Sequence, residues 1–343
     1  MKEQLISLAR SGRAGIAQAQ ELSLALTGSP LLDLSGAALQ GANLRGSDLS
    51  GFCLAGANLS GANLTRVQLK RADLSGANLS GVTQSFHANF QGAILRDARL
   101  QGAHLKRTVF QGADLTGAHL QGARLHGALL QDTLLIDANL QGAHLQGARL
   151  QGARLQGASL RTTLYNEATH WPVDFDHLRS GAIGPGAQLQ GADLQGADIR
   201  SISLRGMCFQ GALLQGAALC VMILECNFQR ANLINAKMKG CRILTTDLQG
   251  ADLQGADLCG VFFHRSSLCG ADLRGADLSG AVFEDTDLSR ADLRGADLSG
   301  AGLRSADLRG ADLRLARTSS ETVWPEGVVP IQDAHGLLSI TAP

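Results

Sequence analysis

The stretch QGADLQGADLCGVFFHRSSLCGADLRGADLSGAVFEDTDLSRADLRGADLSGAGLRSADLRGADL, residues 249–313, carries a large apolar residue at every fifth position from Leu253 to Leu313. A small residue, usually Ala, stands two places before each of these repeat centres. A helix buries a stripe with a period of 3.6 residues and a strand buries a face with a period of 2, so the pattern fits neither element. A fixed period that runs over most of a chain is typical of a solenoid, in which each unit stacks on the next.

The recurring block, A-(D/N)-L-(S/T/Q/R)-G, resembles the repeat of the pentapeptide-repeat family over roughly residues 33–318. This resemblance implies an all-β solenoid, a right-handed quadrilateral β-helix in which four pentapeptides make one coil. It also implies that the repeat centre and the Ala two places before it point inward. The residue just before each centre is therefore expected to face outward, and residues 20 apart are expected to stack on successive coils.

Interruptions of the repeat divide the chain into five predicted segments. They are a short N-terminal helical cap (1–30), a first pentapeptide-repeat array (31–165), an insert or linker (166–187), a second array (188–318) and a C-terminal tail or cap (319–343). The N-terminal segment is predicted to form one helix that covers the end of the first array, and a helix that docks a partner is the alternative.

The string T-x-W-P occurs twice, at Thr169–Pro172 and at Thr322–Pro325, and each copy follows an array of 27 repeat units. This symmetry indicates an internal duplication in which a Trp-Pro pair terminates each array. Two irregularities shift the register. One extra residue lies within 82–87, which predicts a local bulge, and one residue is missing between the centres Leu224 and Phe228.

Centres that are one coil apart should lie directly above one another in the core. Three pairs of aromatic centres are therefore expected to stack: Phe90 with Phe110, Phe209 with Phe228, and Phe263 with Phe283. The last position of the block is usually Gly, but other residues replace it at several corners, among them Arg66, Arg107, Asp132, Asn235 and Arg290. Because a positive φ strongly favours Gly, we expect that a positive φ is not required at every corner.

The composition favours a cytoplasmic structural protein over an enzyme. The 343 residues include 30 basic and 30 acidic side chains, so the formal net charge is zero. The seven Cys include no Cys-x-x-Cys pair, which predicts a reduced protein without disulfides or a metal site. No apolar run approaches 18 residues, so we expect no membrane span, and the N-terminus lacks the apolar stretch of a signal peptide.

Motifs that mark common enzyme sites are missing from the sequence. It has no nucleophile elbow, no phosphate-binding Gly motif followed by Lys, and no His-Glu-x-x-His string. We therefore expect no catalytic residues, no cofactor and no small-molecule substrate.

The outward positions of the first array are mainly basic, with 8 basic and 4 acidic residues over 85–165. A candidate interaction surface combines this charge with apolar side chains: His104, Arg124, His144, Val109, Leu129 and Leu134. Apolar side chains exposed beside charged ones mark a possible protein interface, and an ordinary solvated face is the alternative.

The second array has the opposite charge, with 8 basic and 12 acidic residues over 246–318. A second candidate surface consists of Phe262, Val282, Asp252, Asp272 and Asp292. Stacked Asp side chains repel one another modestly in water. A neighbouring column of Arg274, Arg294 and Arg314 is expected to offset this repulsion.

These features predict a protein–protein interaction scaffold or regulator whose protein partner is unknown. The resemblance offers an alternative, because some pentapeptide-repeat proteins modulate type II topoisomerases by imitating duplex DNA. An array about 32 Å long would then need on the order of 19 negative charges, and a net charge of −4 over 246–318 falls far short. Nucleic-acid binding is not expected either, since the first array lacks a strong basic excess and aromatic stacking platforms.

Overall fold

The computed structural model describes residues 2–27, 31–219, 222–332 and 338–340. The chain divides into two compact units, Met1–Ala182 and Ile183–Pro343, here called the first and the second unit. Each unit contains one pentapeptide array, and the division falls within the predicted insert of 166–187.

Two helices precede the first array: α1 spans Lys2–Arg10 and α2 spans Arg13–Thr27. The predicted N-terminal helical cap is confirmed, but it consists of two helices and not one, because Gly12 between them has a φ of +88°, which interrupts the helical backbone. A side chain at Gly12 would not fit, since a Cβ there would lie 2.6 Å from the Asn43 carbonyl oxygen. Arg10 Nε donates to the Ala38 carbonyl (2.6 Å), so the helix pair is fastened to the first coil.

Beyond the helices, the backbone winds into coils joined by parallel bridges. The bridges Asn58↔Asn78 and Asp252↔Asp272 show the usual spacing of 20 residues, and four ladders of such bridges run along each array. The N–H of a centre donates to a carbonyl of the next coil, as from Leu59 to Asn78 at 2.7 Å. The architecture is the predicted right-handed quadrilateral β-helix, in which each pentapeptide forms one side.

The core is filled by the repeat centres and by the small residues two places before them. Ala271 and Leu273 are fully buried, whereas Asp272 between them is partly exposed, as expected for a backbone whose successive side chains alternate in direction. Burial of each Leu contributes roughly 1.5–3 kcal/mol relative to exposure. The three predicted aromatic stacks are confirmed, with ring centroids 4.6–5.0 Å apart: Phe90–Phe110, Phe209–Phe228 and Phe263–Phe283.

One of the two predicted register shifts lies elsewhere than expected. The inserted residue is confirmed, because the bridge Asn63↔Gln84 spans 21 residues. The missing residue does not follow Leu224: Ile223 is the buried centre and Leu224 is partly exposed. The deletion therefore precedes Ile223, next to positions 220–221, which are outside the described residues. Two adjacent aliphatic residues fit the period equally well, so the sequence pattern could not distinguish them.

The corners have a positive φ at most positions, although not at all of them. The five Gly replacements named above have φ between +55° and +58°: Arg66, Arg107, Asp132, Asn235 and Arg290. Ser201 and Ser305 occupy the same position of the block and are not among the residues with a positive φ, as expected if that conformation is not required at every corner. The left-handed conformation is therefore the usual one at this position even where Gly is replaced. The hydrogen bonds to neighbouring coils fix the backbone on both sides of the corner, and this outweighs the strain of a side chain there.

One side of the second unit forms a five-stranded parallel sheet. Its strands are β1 (Leu204–Arg205), β2 (Met222–Leu224), β3 (Arg242–Leu244), β4 (Phe262–His264) and β5 (Val282–Glu284), paired in that order. Elsewhere an Ala N–H closes the corner, as from Ala251 to the Leu248 carbonyl at 3.0 Å. On the sheet side the Thr246 N–H donates instead to Ser266 Oγ of the next coil, at 3.2 Å. The corner therefore lacks the hydrogen bond that closes it elsewhere, and the strand extends beyond the repeat centre.

The two T-x-W-P strings form the same local structure. Thr169 Oγ1 donates to the Leu145 carbonyl at 2.9 Å. Thr322 Oγ1 donates to the Leu298 carbonyl, also at 2.9 Å. Each hydroxyl also accepts a hydrogen bond from the N–H three residues before it, at 3.2 Å and 3.0 Å respectively. The shared geometry supports the internal duplication.

The ladders reach into both Trp-Pro strings. The bridges Arg149↔His170 and Gly302↔Val323 place each Trp directly after a bridged residue, at the position of a repeat centre. A short 3₁₀ helix, His177–Arg179, follows in the first unit.

In the predicted tail, β6 (Pro330–Gln332) pairs antiparallel with β7 (Leu338–Ile340), and 333–337 and 341–343 are outside the described residues. The division of the chain into five segments stays a prediction.

Candidate functional site

The structure brings together part of the first predicted surface. His104, Arg124 and His144 are bridged in one ladder and share one face of the first unit. Val109 and Leu129 are bridged in the next ladder and lie around one corner from them.

Leu134 belongs to a third ladder, in which it is bridged to Asp114. This ladder is two pentapeptides away from that of His104, so in a quadrilateral coil the two lie on opposite faces. Leu134 therefore cannot join His104 and His144 in one contact surface.

The face of His104 carries more positive charge than its ladder alone indicates. The residue after each centre also faces outward, and it is Lys106 in one coil and His126 in the next. We call this face, made of residues 101–107, 121–127 and 141–147, the basic face. Sequence reasoning misses Lys106 and His126 when it considers only the position before each centre.

The His side chains of the basic face lie close to other positive groups. The rings of His126 and His144 have centroids 5.3 Å apart. Partial burial lowers the pKa of both side chains, and positive neighbours lower it further: His144, Lys106 and Arg124 for His126, and Arg124 for His144. The face therefore has a positive potential that disfavours additional protons and attracts anions.

The Asp ladder of the second predicted surface is balanced by Arg. Arg274 Nη2 lies 2.6 Å from Asp272 Oδ2, and its Nε lies 3.7 Å from Asp292 of the next coil. Arg294 repeats this arrangement with Asp292 and Asp312, at 2.5 Å and 3.6 Å. Hydrogen bonds from Arg lower the pKa of all three carboxyls, which keeps them ionised and paired.

Phe262 and Val282 lie on the opposite side from the Asp ladder, because residues 252 and 262 are two pentapeptides apart. They belong to the sheet formed by β1–β5. The outward side chains of that sheet define the apolar sheet face: Arg205, Met222, Leu224, Arg242, Leu244, Phe262, His264, Val282 and Glu284. The Arg242 guanidinium lies 5.2 Å from the Phe262 ring centroid, a cation–π contact within the face.

Metal binding finds no support on these faces. Within the described ranges, no group of three or more His, Cys, Asp or Glu side chains is placed to hold a metal ion. Among the helices of the described chain, none has the length and apolar character that a membrane span requires.

Comparison with known proteins gives one match at the level of the family. The family model described as pentapeptide repeats matches in eight copies, which together cover more than half of the chain: 33–51, 42–81, 86–122, 123–161, 186–216, 226–265, 246–285 and 276–314. A comparison with curated proteins gives no significant match.

Several solved structures resemble the chain. HetL, a pentapeptide repeat protein involved in heterocyst differentiation regulation from the cyanobacterium Nostoc sp. strain PCC 7120, is 24% identical over 84% of this chain and 90% of its own, with a TM-score of 0.19. Full-length QnrB1, a plasmid-mediated fluoroquinolone resistance protein, is 17% identical over 81% of this chain and 92% of its own, with a TM-score of 0.15. A pentapeptide repeat protein of the Arabidopsis thaliana thylakoid lumen is 28% identical over 39% of this chain and 73% of its own, with a TM-score of 0.16.

Proposed function

Since the chain belongs to the pentapeptide-repeat family, we propose that it is a non-catalytic scaffold whose basic face binds an acidic segment of a protein partner. Members of the family are generally structural repeat proteins without catalytic activity. A solenoid of this kind offers its outward ladders as extended surfaces for binding.

The charge of the basic face is the observation that carries this proposal. The segments 101–107, 121–127 and 141–147 contain three Lys or Arg residues and three His residues but no Asp or Glu. Successive coils repeat every ~4.8 Å, so these side chains form a continuous positive strip. Carboxylates of a partner would be attracted to this strip, which would steer association and fix its register.

The neighbouring face favours a protein over a nucleic acid. Val109 and Leu129 stack around the corner from Arg124, and Val109 is partly exposed while Leu129 is exposed. In protein interfaces, buried apolar anchors contribute most of the affinity while charged rims steer association. The basic face itself carries no Phe, Tyr or Trp on which bases could stack.

Imitation of duplex DNA by the second unit is not supported. A DNA mimic presents unpaired negative charge at a spacing comparable to that of phosphates. The carboxylates of Asp272, Asp292 and Asp312 are each bound by the Arg two residues later, so the ladder is largely neutralised.

The proposal can be tested by fluorescence anisotropy with a short labelled peptide of alternating Glu and Leu. The wild-type chain should bind it, and Arg124→Glu should weaken binding by about tenfold because it places like charges in contact. Lowering the pH from 7.5 to 5.5 should tighten binding, since His126 and His144 gain protons only below their ordinary pKa. Added salt should weaken binding.

Arg154→Glu is the matched control, because Arg154 is bridged to Leu134 on the opposite face of the same unit. It should leave the affinity for the peptide unchanged. Failure of the wild type to bind, or an equal loss in the two variants, would refute a role for the basic face. Equal competition by duplex DNA would show that the face recognises negative charge without preferring a protein.

A further inference from the structure

The apolar sheet face of the second unit leaves large apolar side chains in contact with water. Met222 and Val282 are 40% and 42% exposed, and Leu224, Leu244 and Phe262 are partly exposed. They lie on adjacent strands of one parallel sheet, so their apolar areas are contiguous. An exposed patch of this kind marks a site of association.

The charges around this patch are symmetric in position and opposite in sign. One row of outward residues consists of those that directly follow the repeat centres. In this row, Arg205 lies two coils before Leu244 and Glu284 lies two coils after it. Along the adjoining corner, Glu225 lies one coil before Thr245 and Arg265 lies one coil after it. A face with this pattern is complementary to itself when its direction is reversed.

We propose that the apolar sheet face binds the same face of a second copy of the chain in an antiparallel arrangement. The two-fold axis lies in the interface, perpendicular to the direction of coil stacking, and passes through the coil of Leu244 and Thr245. Such a contact is isologous, so each pair of residues occurs twice. Glu225 then meets Arg265 of the second copy, and Arg205 meets Glu284 of the second copy.

The same axis also aligns the apolar side chains. Met222 meets Phe262 of the second copy, Leu224 meets His264 of the second copy, and Leu244 meets its own counterpart. One contact is unfavourable, because Arg242 meets Arg242 of the second copy and the two carry like charge. Each Arg242 guanidinium is held over the Phe262 ring of its own chain, which disperses part of its charge into a cation–π contact.

A parallel arrangement of the two copies fits less well. An axis along the direction of coil stacking would relate residues of the same coil. Glu225 would then not meet Arg265, and Arg205 would not meet Glu284, because the members of each pair lie in different coils. The antiparallel arrangement brings both pairs of opposite charges together.

Two of the ion pairs that these charged groups make within the chain are long. Arg205 Nε lies 3.9 Å from Glu225, and Arg265 Nε lies 3.8 Å from Asp285. Glu284 has a closer neighbour, since its Oε2 lies 3.2 Å from Nδ1 of His264. All of these side chains except His264 are more than half exposed, so such pairs contribute little and can exchange for pairs across the interface. The five coils from Arg205 to Glu284 span only about 19 Å, which is small for a stable interface. We therefore expect a weak dimer in the micromolar range.

Analytical ultracentrifugation of the full chain and two charge-reversed variants tests this arrangement. Glu225→Arg and Arg265→Glu should each weaken self-association by at least about tenfold, because each places two like-charge pairs in the dimer. A mixture of the two variants should associate at least as well as the wild type, because both cross pairs are then opposite in charge. Both corners already have a positive φ, and this chain has Arg at such corners elsewhere, so the variants should fold.

Two controls show whether the loss of self-association is specific to the apolar sheet face. Asp252→Arg makes the same kind of change on the opposite face and should leave self-association unchanged. Glu225→Arg should bind the acidic peptide as the wild type does, since the basic face is in the other unit. A wild type that stays monomeric at every concentration, or a mixture that associates no better than its components, would overturn the proposed dimer without affecting the proposed function.

Discussion

At the scale of single residues, the corners show how strongly neighbouring coils constrain the backbone. Sixteen non-Gly residues among those described have a positive φ, and they include the β-branched Thr162 and Thr245. Such a conformation costs roughly 1–2 kcal/mol for a residue with a Cβ. Gly at most other corners reduces this cost, and the remaining strain is offset by the hydrogen bonds that each pentapeptide makes to the coils on either side.

Two substitutions in the second unit test this account of the corners. A Cβ at Gly270 would meet no atom within 4 Å, so Gly270→Ala adds backbone strain alone. It should destabilise the fold by about 1 kcal/mol. Arg290→Gly, at a φ of +57°, should stabilise it by about 0.5 kcal/mol because the relieved strain exceeds the added entropy of the unfolded chain. Urea unfolding measures both, and equal stability of Gly270→Ala and wild type would contradict the account.

At the scale of elements, the two Trp-Pro strings are fastened to the preceding coil by the same pair of Thr hydrogen bonds. The hydroxyl of Thr169 accepts from the N–H of Asn166 and donates to a carbonyl one coil earlier. Thr322 makes the equivalent pair of bonds with Ser319 and Leu298. Loss of a hydroxyl would remove two hydrogen bonds, although the Leu145 and Leu298 carbonyls would still accept from the N–H groups of Ala148 and Ala301. Each hydrogen bond contributes roughly 0.5–1.5 kcal/mol.

Thr169→Ala and Thr322→Ala should therefore destabilise their arrays by similar amounts, about 1–3 kcal/mol each. Thr169→Ser and Thr322→Ser keep the hydroxyl and serve as matched controls with smaller losses. The chain contains two Trp, so Trp fluorescence during urea unfolding reports on the two strings directly. A loss at one string and none at the other would show that the two strings do not stabilise their arrays equally.

The period of the repeat is sufficient to predict the coils, the inward centres and the ladders, because each follows from residues 20 apart. The same spacing also separates the faces, because residues two pentapeptides apart lie on opposite sides of a four-sided coil. The grouping of Leu134 with His104 in one surface is wrong for that reason. The sheet face depends on hydrogen bonds such as that from the Thr246 N–H to Ser266 Oγ, which arise between coils and have no signature in a single pentapeptide.

At the scale of the whole molecule, the formal net charge of zero is the sum of two oppositely charged arrays. The first has an excess of basic residues over 85–165, and the second has an excess of acidic residues over 246–318. The first unit presents a positive strip without carboxylates, and the second presents Asp ladders neutralised by Arg and, on the opposite side, an apolar sheet. On the Asp ladder of the second unit, the carboxylates are paired with Arg. On the basic face, where we propose that a partner binds, the positive side chains have no carboxylate within the face. This difference in pairing, more than the net charge, is what distinguishes the candidate surfaces.

We propose that the basic face and its apolar neighbours bind an acidic protein segment. Methyl NMR of the 35.8 kDa chain during titration with the Glu–Leu peptide detects this contact at single side chains. We expect the methyl signals of Val109 and Leu129 to shift first and to saturate together, while those of Leu134 and Val282 stay in place. Shifts confined to Leu134 or Val282, or no shift at saturating peptide, would contradict the claim.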